Sequence, residues 1–357
     1  MKRLTYISRF TNDLSAQEIA EIGRVSAKNN SARGISGVLI CLNGIFYQII
    51  EGEAAEIDRV YETILADPRH SDVVCLKNEA DAAERIFGEW SMETFNLDEK
   101  DDLVLQPVTT LLETLTSSHQ ILERYTQPTV LDFIYDGVDP LTVPSTKVEK
   151  VILVSDIVSF TQFADALEAE EVVRLVNTFS RIVSDAVLEY GGQINKFMGD
   201  GALAYFDGLA ADDALKAGLS ILKRLQQARD SAGDSDPLSV LYCGVGVARG
   251  VVIEGNLGSE SKRDFTIIGD AVNVASRLEA LTRRVPRWII FSQSVTDALD
   301  DSWDVVGSKD YVLKGKREGV RFYSVNRPEA LKEKKNAEII RSIGERIGSL
   351  SDRRTSV

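Results

Sequence analysis

Asp156 follows the apolar run Val151-Ile152-Leu153-Val154, and Asp200 lies in Phe197-Met198-Gly199-Asp200-Gly201. An uninterrupted apolar run reads as a strand buried on both faces, so Asp156 falls where that strand emerges. The Gly-Asp-Gly separates 194–198 from 202–206 and reads as a hairpin with its carboxylate at the turn. Two carboxylates at adjacent strand ends can hold a pair of divalent cations. Oxygen ligands suit Mg²⁺ or Mn²⁺, and two such ions favour phosphoryl chemistry. Taken singly, each residue reads more readily as an ordinary turn aspartate.

A second tract runs from Arg263 to Glu279: a short strand over 265–268, then Gly269-Asp270 and a helix. Asn273 and Arg277 are four apart and share one helix face. An amide and a guanidinium so placed can grip a ribose and a phosphate, or can simply be a solvated face. Near the N-terminus, Gln48 has Phe46 and Ile50 as same-face neighbours on a strand after the Asn43-Gly44 turn, and Tyr6 lies between Leu4 and Ser8. A primary amide among apolar groups needs partners, either an internal backbone group or a planar heterocyclic ligand.

The elements that position these groups follow from periodicity. Strands are expected over 3–9, 36–42, 45–51, 71–78 and 90–96, with helices over 15–29 and 54–66. Residues 101–135 are helical in pattern, and Val108, Leu112, Leu115, His119 and Leu122 follow the spacing of a coiled-coil seam. Pro128 ends or bends that helix near Tyr125, which makes Tyr125 a relay point. Gly244-Val245-Gly246 reads as a strand with close backbone approach. The charged stretch after about 328 is expected to be flexible, with a short surface helix over 334–349.

Ser155 to Thr161, Lys196-Phe197-Met198-Gly199-Asp200, Gly269 to Asn273 with Arg277, and Leu313-Lys314-Gly315, in that order between about Val148 and Val325, resemble the catalytic domain of class III nucleotidyl cyclases. The resemblance implies that Asp156 and Asp200 bind the two metals, Asn273 orients the ribose, Arg277 stabilises the α-phosphate and Lys314 contacts the triphosphate. It places the backbone amides of Ile157 to Thr161, Phe160 included, around the β- and γ-phosphates. Lys196 and Thr266 are the two base-reading positions. A Lys donor suits adenine N1 and a Thr hydroxyl can accept from the 6-amino group, so ATP is favoured over GTP. Because Thr also donates, strict discrimination is not expected. A guanylyl cyclase or a catalytically silent binding switch are the competing readings. Sites in this family form between two catalytic domains, which implies a parallel homodimer.

Tyr6, Asn29-Asn30, Gly34-Ile35-Ser36-Gly37, Gln48 with Glu51-Gly52, Asp67-Pro68-Arg69-His70 and Trp90-Ser91-Met92 likewise resemble the BLUF photoreceptor domain, which binds FAD. That resemblance implies a ferredoxin-like fold with two helices clasping the flavin. It makes Tyr6 the electron and proton donor and Gln48 the amide whose hydrogen bonds rearrange. Asn30 would bond the flavin edge, with Asn29, Asp67, Arg69 and His70 around the cofactor, and Met92 and Trp90 on the reporting strand.

The expected organisation is α+β: a ferredoxin-like BLUF domain over 1–98, a helical coiled-coil linker over 99–140, a class III cyclase α/β domain over 141–327, and a tail over 328–357. The net charge of −14 argues against nucleic-acid binding. No run approaches the roughly 20 apolar residues of a membrane span. With two histidines a His-based zinc site is not expected, and the scattered Cys41, Cys75 and Cys243 suit reduced thiols in a cytoplasm.

Overall fold

The computed structural model describes residues 1–11, 14–42, 44–87, 93–96, 105–233, 236–259, 262–308, 311–312, 319–326 and 336–354. Trp90, Met92 and Lys314 lie outside the described residues. The fold divides into two units, Met1–Val143 and Pro144–Val357.

The first unit runs β1 (Lys2–Phe10), α1 (Ala16–Ala32), β2 (Ser36–Leu42), β3 (Ile45–Gly52), α2 (Ala54–Leu65), β4 (His70–Glu79), β5 (Glu93–Asn96), α3 (Leu105–Tyr125) and α4 (Pro128–Tyr135). The sheet order is β4-β1-β3-β2-β5. Its first four strands pair antiparallel, and β5 joins β2 in parallel. These are the five strands and two helices expected, a βαββαβ order followed by β5. Alternation on β1 buries Leu4, Tyr6 and Ser8 along one row, and Leu4 and Tyr6 pack with Ile19 of α1 and Ile57 of α2. The helices cover that row through Leu4 and Tyr6, while Arg3, Thr5 and Arg9 on the alternate row are only partly buried.

The expected seam on α3 divides. Leu112, Thr116 and His119 are buried, and the His119 ring lies 5.6 Å from that of Tyr135 on α4. Leu111, Leu115, Leu122 and Tyr125 are instead exposed. The helix therefore uses one stripe to pack on its own unit and leaves a neighbouring stripe, rotated by about one residue, uncovered. Leu112 and His119 do not belong to the outward row, and the side chain of Val108 lies outside the described residues. Pro128 is the first residue of α4, where its missing N–H is tolerated.

The second unit runs β6 (Thr146–Ile157), α5 (Phe160–Ala166), α6 (Ala169–Glu189), β7 (Gln193–Met198), β8 (Gly201–Asp207), α7 (Ala211–Ser231), β9 (Cys243–Gly258), β10 (Arg263–Ile268), α8 (Asp270–Leu281), β11 (Ile289–Phe291), α9 (Gln293–Thr296), β12 (Val305–Gly307), β13 (Tyr311–Val312), β14 (Gly319–Val320), β15 (Tyr323–Val325) and α10 (Asn336–Arg354). The main sheet is ordered β12-β15-β11-β9-β6-β8-β7, with β10 hairpinned onto β9 and β13 paired with β14 apart from it. Val151 and Leu153 of β6 join the core with Phe179 and Val183 of α6 and Leu215 of α7. Ile152 and Val154 face Ala271 and Ala275 of α8. The apolar run is thus buried on both faces. Gly246 lets α8 approach, since a Cβ there would lie 2.2 Å from the Ala275 carbonyl oxygen.

The helix expected over 334–349 forms, but it is packed rather than lying free on the surface. Over 336–354 it forms α10, which buries Ile339, Ile343 and Ile347 in the core of the second unit, packed on α5 and on the turn Pro237–Val240. Isoleucines at intervals of four make one apolar stripe, and that stripe docks despite the charged surroundings.

Candidate functional sites

In the first unit Tyr6 and Gln48 are directly opposed on β1 and β3, and the Tyr6 hydroxyl donates to Gln48 Oε1. Both side chains are buried. Burial, then the neighbouring Tyr61, pushes the Tyr6 phenol far above its usual value, so it stays a donor at any physiological pH. Asn30 is buried at the end of α1, while Asn29 is exposed. His70 Nδ1 meets Ser8 Oγ at 2.7 Å, and burial holds its imidazole below the usual value against the pull of Asp67. Arg69 does not turn inward: it pairs with Asp67 through Nε at 2.9 Å, with more than half of its side chain exposed. Glu51 is fully buried and accepts from Arg3, Ser36 and the backbone amides of Ile86 and Phe87. Burial opposes its ionisation, but these donors prevail and its carboxyl lies below the usual range. The amides of Gln48 and Asn30, set beside apolar helix faces, fit the polar edge of a flat heterocycle.

In the second unit β6 delivers Asp156 between Gly201 of β8 and Gly244 of β9. Asp200 occupies the β7–β8 turn, which Gly199 makes with a φ of +69°. The two carboxyls face each other. Burial first, then the Asp200 charge, lifts Asp156 to about 6, while Arg283 pulls it down. Arg283 Nη2 donates to Asp156 Oδ2 at 2.7 Å and its Nη1 to Glu279 Oε1 at 2.6 Å. Glu279 is buried and is itself raised to about 7, chiefly by burial. Among the described residues no three His, Cys, Asp or Glu side chains form a metal cage. A facing carboxylate pair still fits Mg²⁺, which takes one or two carboxylates and completes its shell with phosphate and water.

The expected phosphate turn is narrower than Ile157–Thr161. The Ile157 amide donates to the Asp200 carbonyl and the Val158 amide to that of Tyr242. Ser159, Phe160 and Thr161 remain, entered through Ser159 at φ +62°. A left-handed non-glycine costs about 1 kcal/mol or more and recurs at ligand-binding turns. Asn273 is exposed and Arg277 half-buried on α8, and neither bonds to Asp156 or Asp200 among the described residues. Thr266 is buried on β10 beside Asn195 of β7, the residue before Lys196.

Both units have counterparts among known proteins. Residues 1–93 match the family of sensors of blue-light using FAD (BLUF), and residues 143–327 match the adenylate and guanylate cyclase catalytic domain. The photoactivated adenylate cyclase subunits alpha and beta of Euglena gracilis are 33% and 31% identical, each over 83% of this chain. The chain spans 29% and 34% of those two proteins. A solved bacterial light-regulated adenylyl cyclase is 41% identical, with a TM-score of 0.88 over 97% of this chain and 100% of that one. The chain belongs to the BLUF-linked class III cyclases.

Three residues of the cyclase domain were not singled out from sequence. Glu279 closes the quoted tract but looks like one more helix carboxylate. Arg283 lies past the end of α8 in a stretch without periodicity. Asn195 sits in a strand, where alternation alone does not mark it. The signal available for Arg283 and Glu279 was their i, i+4 spacing, which puts them on one face. In the BLUF domain the Ser8–His70 contact was equally unmarked. No described helix of either domain is long and apolar enough to cross a membrane.

Proposed function

We propose that this chain is a blue-light-activated adenylyl cyclase, converting ATP to 3′,5′-cyclic AMP and pyrophosphate at sites shared by two copies. The facing Asp156–Asp200 pair carries this reading, in a chain whose other unit holds the buried Tyr6–Gln48 bond. Mg²⁺ or Mn²⁺ bound at the aspartates would supply positive charge beside the ribose 3′-hydroxyl and the departing pyrophosphate. FAD in the BLUF domain supplies the absorption of blue light.

The protein groups do the rest. Asp156 and Asp200 would hold the two metal ions, and Ser159 to Thr161 would present backbone amides to the outer phosphates. Lys196 and Thr266 read the adenine, Asn273 orients the ribose, and Arg277 offsets charge on the α-phosphate. Lys314 is assigned to the triphosphate. The outward placement of Asn273 and Arg277 on α8 supports their completing the site of a second copy, and the exposed row Leu111, Leu115, Leu122 and Tyr125 supports a parallel homodimer through α3. With a flavin bound, Tyr6 would be the electron and proton donor, and Gln48 the amide whose hydrogen bond to Tyr6 would rearrange. Asn30 and His70 line the cofactor, while Asn29, Asp67 and Arg69 are peripheral. Trp90, Met92 and Tyr125 are assigned to the outward relay.

The test separates the two units. Tyr6→Phe should keep bound flavin and lose both the red shift of its absorption in blue light and light activation. Asp200→Ala should keep the photocycle and lose turnover. Turnover with Mg²⁺ or Mn²⁺ persisting in Asp200→Ala would defeat the reading.

A further inference from the structure

Beneath the base-reading pair lies a contact that limits what Thr266 can do. Thr266 Oγ1 donates to Asn195 Oδ1 at 2.8 Å, and both residues are buried, at 5% and 4% exposure. With the Asn195 amide oxygen turned to Thr266, the hydroxyl is the donor. A hydroxyl has a single proton to give, and its remaining capacity is lone pairs. With its proton directed at Asn195, Thr266 can only accept from anything else that reaches it.

The strand is built to make this contact. Pairing between β7 and β8 steps from Ile194↔Ala204 to Lys196↔Leu203, leaving Asn195 as the extra residue of a bulge. A bulge breaks alternation and re-aims side chains. One irregularity therefore turns the Asn195 amide to Thr266 and sets Lys196 opposite Leu203.

We propose that Asn195 is a positioning residue for base selection: by accepting the Thr266 proton it makes Thr266 an obligate acceptor, which selects 6-amino over 6-oxo purine nucleoside triphosphates. This rests on the reading above that Lys196 and Thr266 meet the base. A 6-amino group offers the hydrogen that an acceptor needs. A 6-oxo group would set lone pairs against lone pairs and leave a buried acceptor unmatched. A threonine released from Asn195 can rotate and donate to the oxo group, so discrimination there collapses. The looseness expected of a threonine at this position is removed by its neighbour.

The experiment measures kcat/KM for ATP, GTP and inosine 5′-triphosphate on the illuminated full chain. The parent is compared with Asn195→Leu, Asn195→Asp and Thr266→Val. Asn195→Leu deletes the acceptor at similar volume and should lower the ATP preference over both 6-oxo substrates about 10-fold. Asn195→Asp accepts the same proton and should hold the preference within about 3-fold of the parent. A purely structural Asn195 would instead depress all three substrates alike. An unchanged preference in Asn195→Leu overturns the proposal when Thr266→Val does shift it. If Thr266→Val is also without effect, the base-reading assignment itself fails. Should the leucine chain not fold, Asn195→Ala carries the same expectation and the same refutation.

Discussion

Asp156→Asn should stabilise the metal-free chain at neutral pH while abolishing its proposed activity. Asp156 is lifted from the ordinary 3.8 to about 6, so the folded chain holds that proton more tightly than the unfolded one. The resulting stability is fully present below about pH 3.8 and is lost as pH rises through about 6. Above that, an ionised Asp156 weakens the fold. At about 1.4 kcal/mol per pH unit the full shift amounts to roughly 3 kcal/mol. The side chain is 32% exposed, and screening reduces the effect to about 1–2 kcal/mol. Asparagine resembles the protonated form at every pH. With a chelator at pH 7.5 it should raise the melting temperature of the cyclase domain by about 2–8 °C, given roughly 2–4 °C per kcal/mol for a domain of this size. At pH 4 the advantage should disappear. Calorimetry of the full chain in darkness across pH 4–8 measures both. A less stable asparagine variant at pH 7.5, or a difference independent of pH, would refute the reasoning and show that the Arg283 bond outweighs burial and the Asp200 charge.

Two further outcomes test other parts of the account. Ile343→Asp puts a charge into the α10 contact, and undocking should follow, because burial of each isoleucine contributes about 2 kcal/mol; hydrogen exchange over 336–354 should rise by at least about 10-fold, and unchanged protection would mean that α10 is held otherwise. Co-expressed Asp156→Ala and Arg277→Ala chains, each inactive alone, should recover part of the parent activity by forming one intact shared site; a mixture as inactive as either variant would count against a site built from two copies.

What was legible in the sequence follows from how local each cause is. The apolar run before Asp156, the glycines around Asp200 and the period-two row through Tyr6 are set by neighbours in the chain, and each element formed where its pattern lay. Gly244 and Gly246 were legible as close approach for the same reason. The residues that were not legible act across the fold. Arg283 reaches Asp156 from 127 positions away, and Asn195 bonds Thr266 through a bulge that no alternation pattern reveals. The α3 seam was misdivided because the inward stripe of Leu112, Thr116 and His119 is mostly polar and lies one residue from the apolar outward row, and the packing of His119 against α4 marks which turns inward. Charged residues around Ile339, Ile343 and Ile347 hid a docking stripe under an average composition.

The central claim is that light absorbed by one unit drives cyclisation in the other, and product formation tests it most directly. One preparation, with Mg²⁺ or Mn²⁺ present, is assayed in darkness, under blue light and again in darkness, first with ATP and then with GTP. The account predicts that cyclic AMP forms faster under blue light and slows again in darkness, with GTP converted poorly throughout. Equal rates in light and darkness, or no cyclic nucleotide from either substrate, would contradict it.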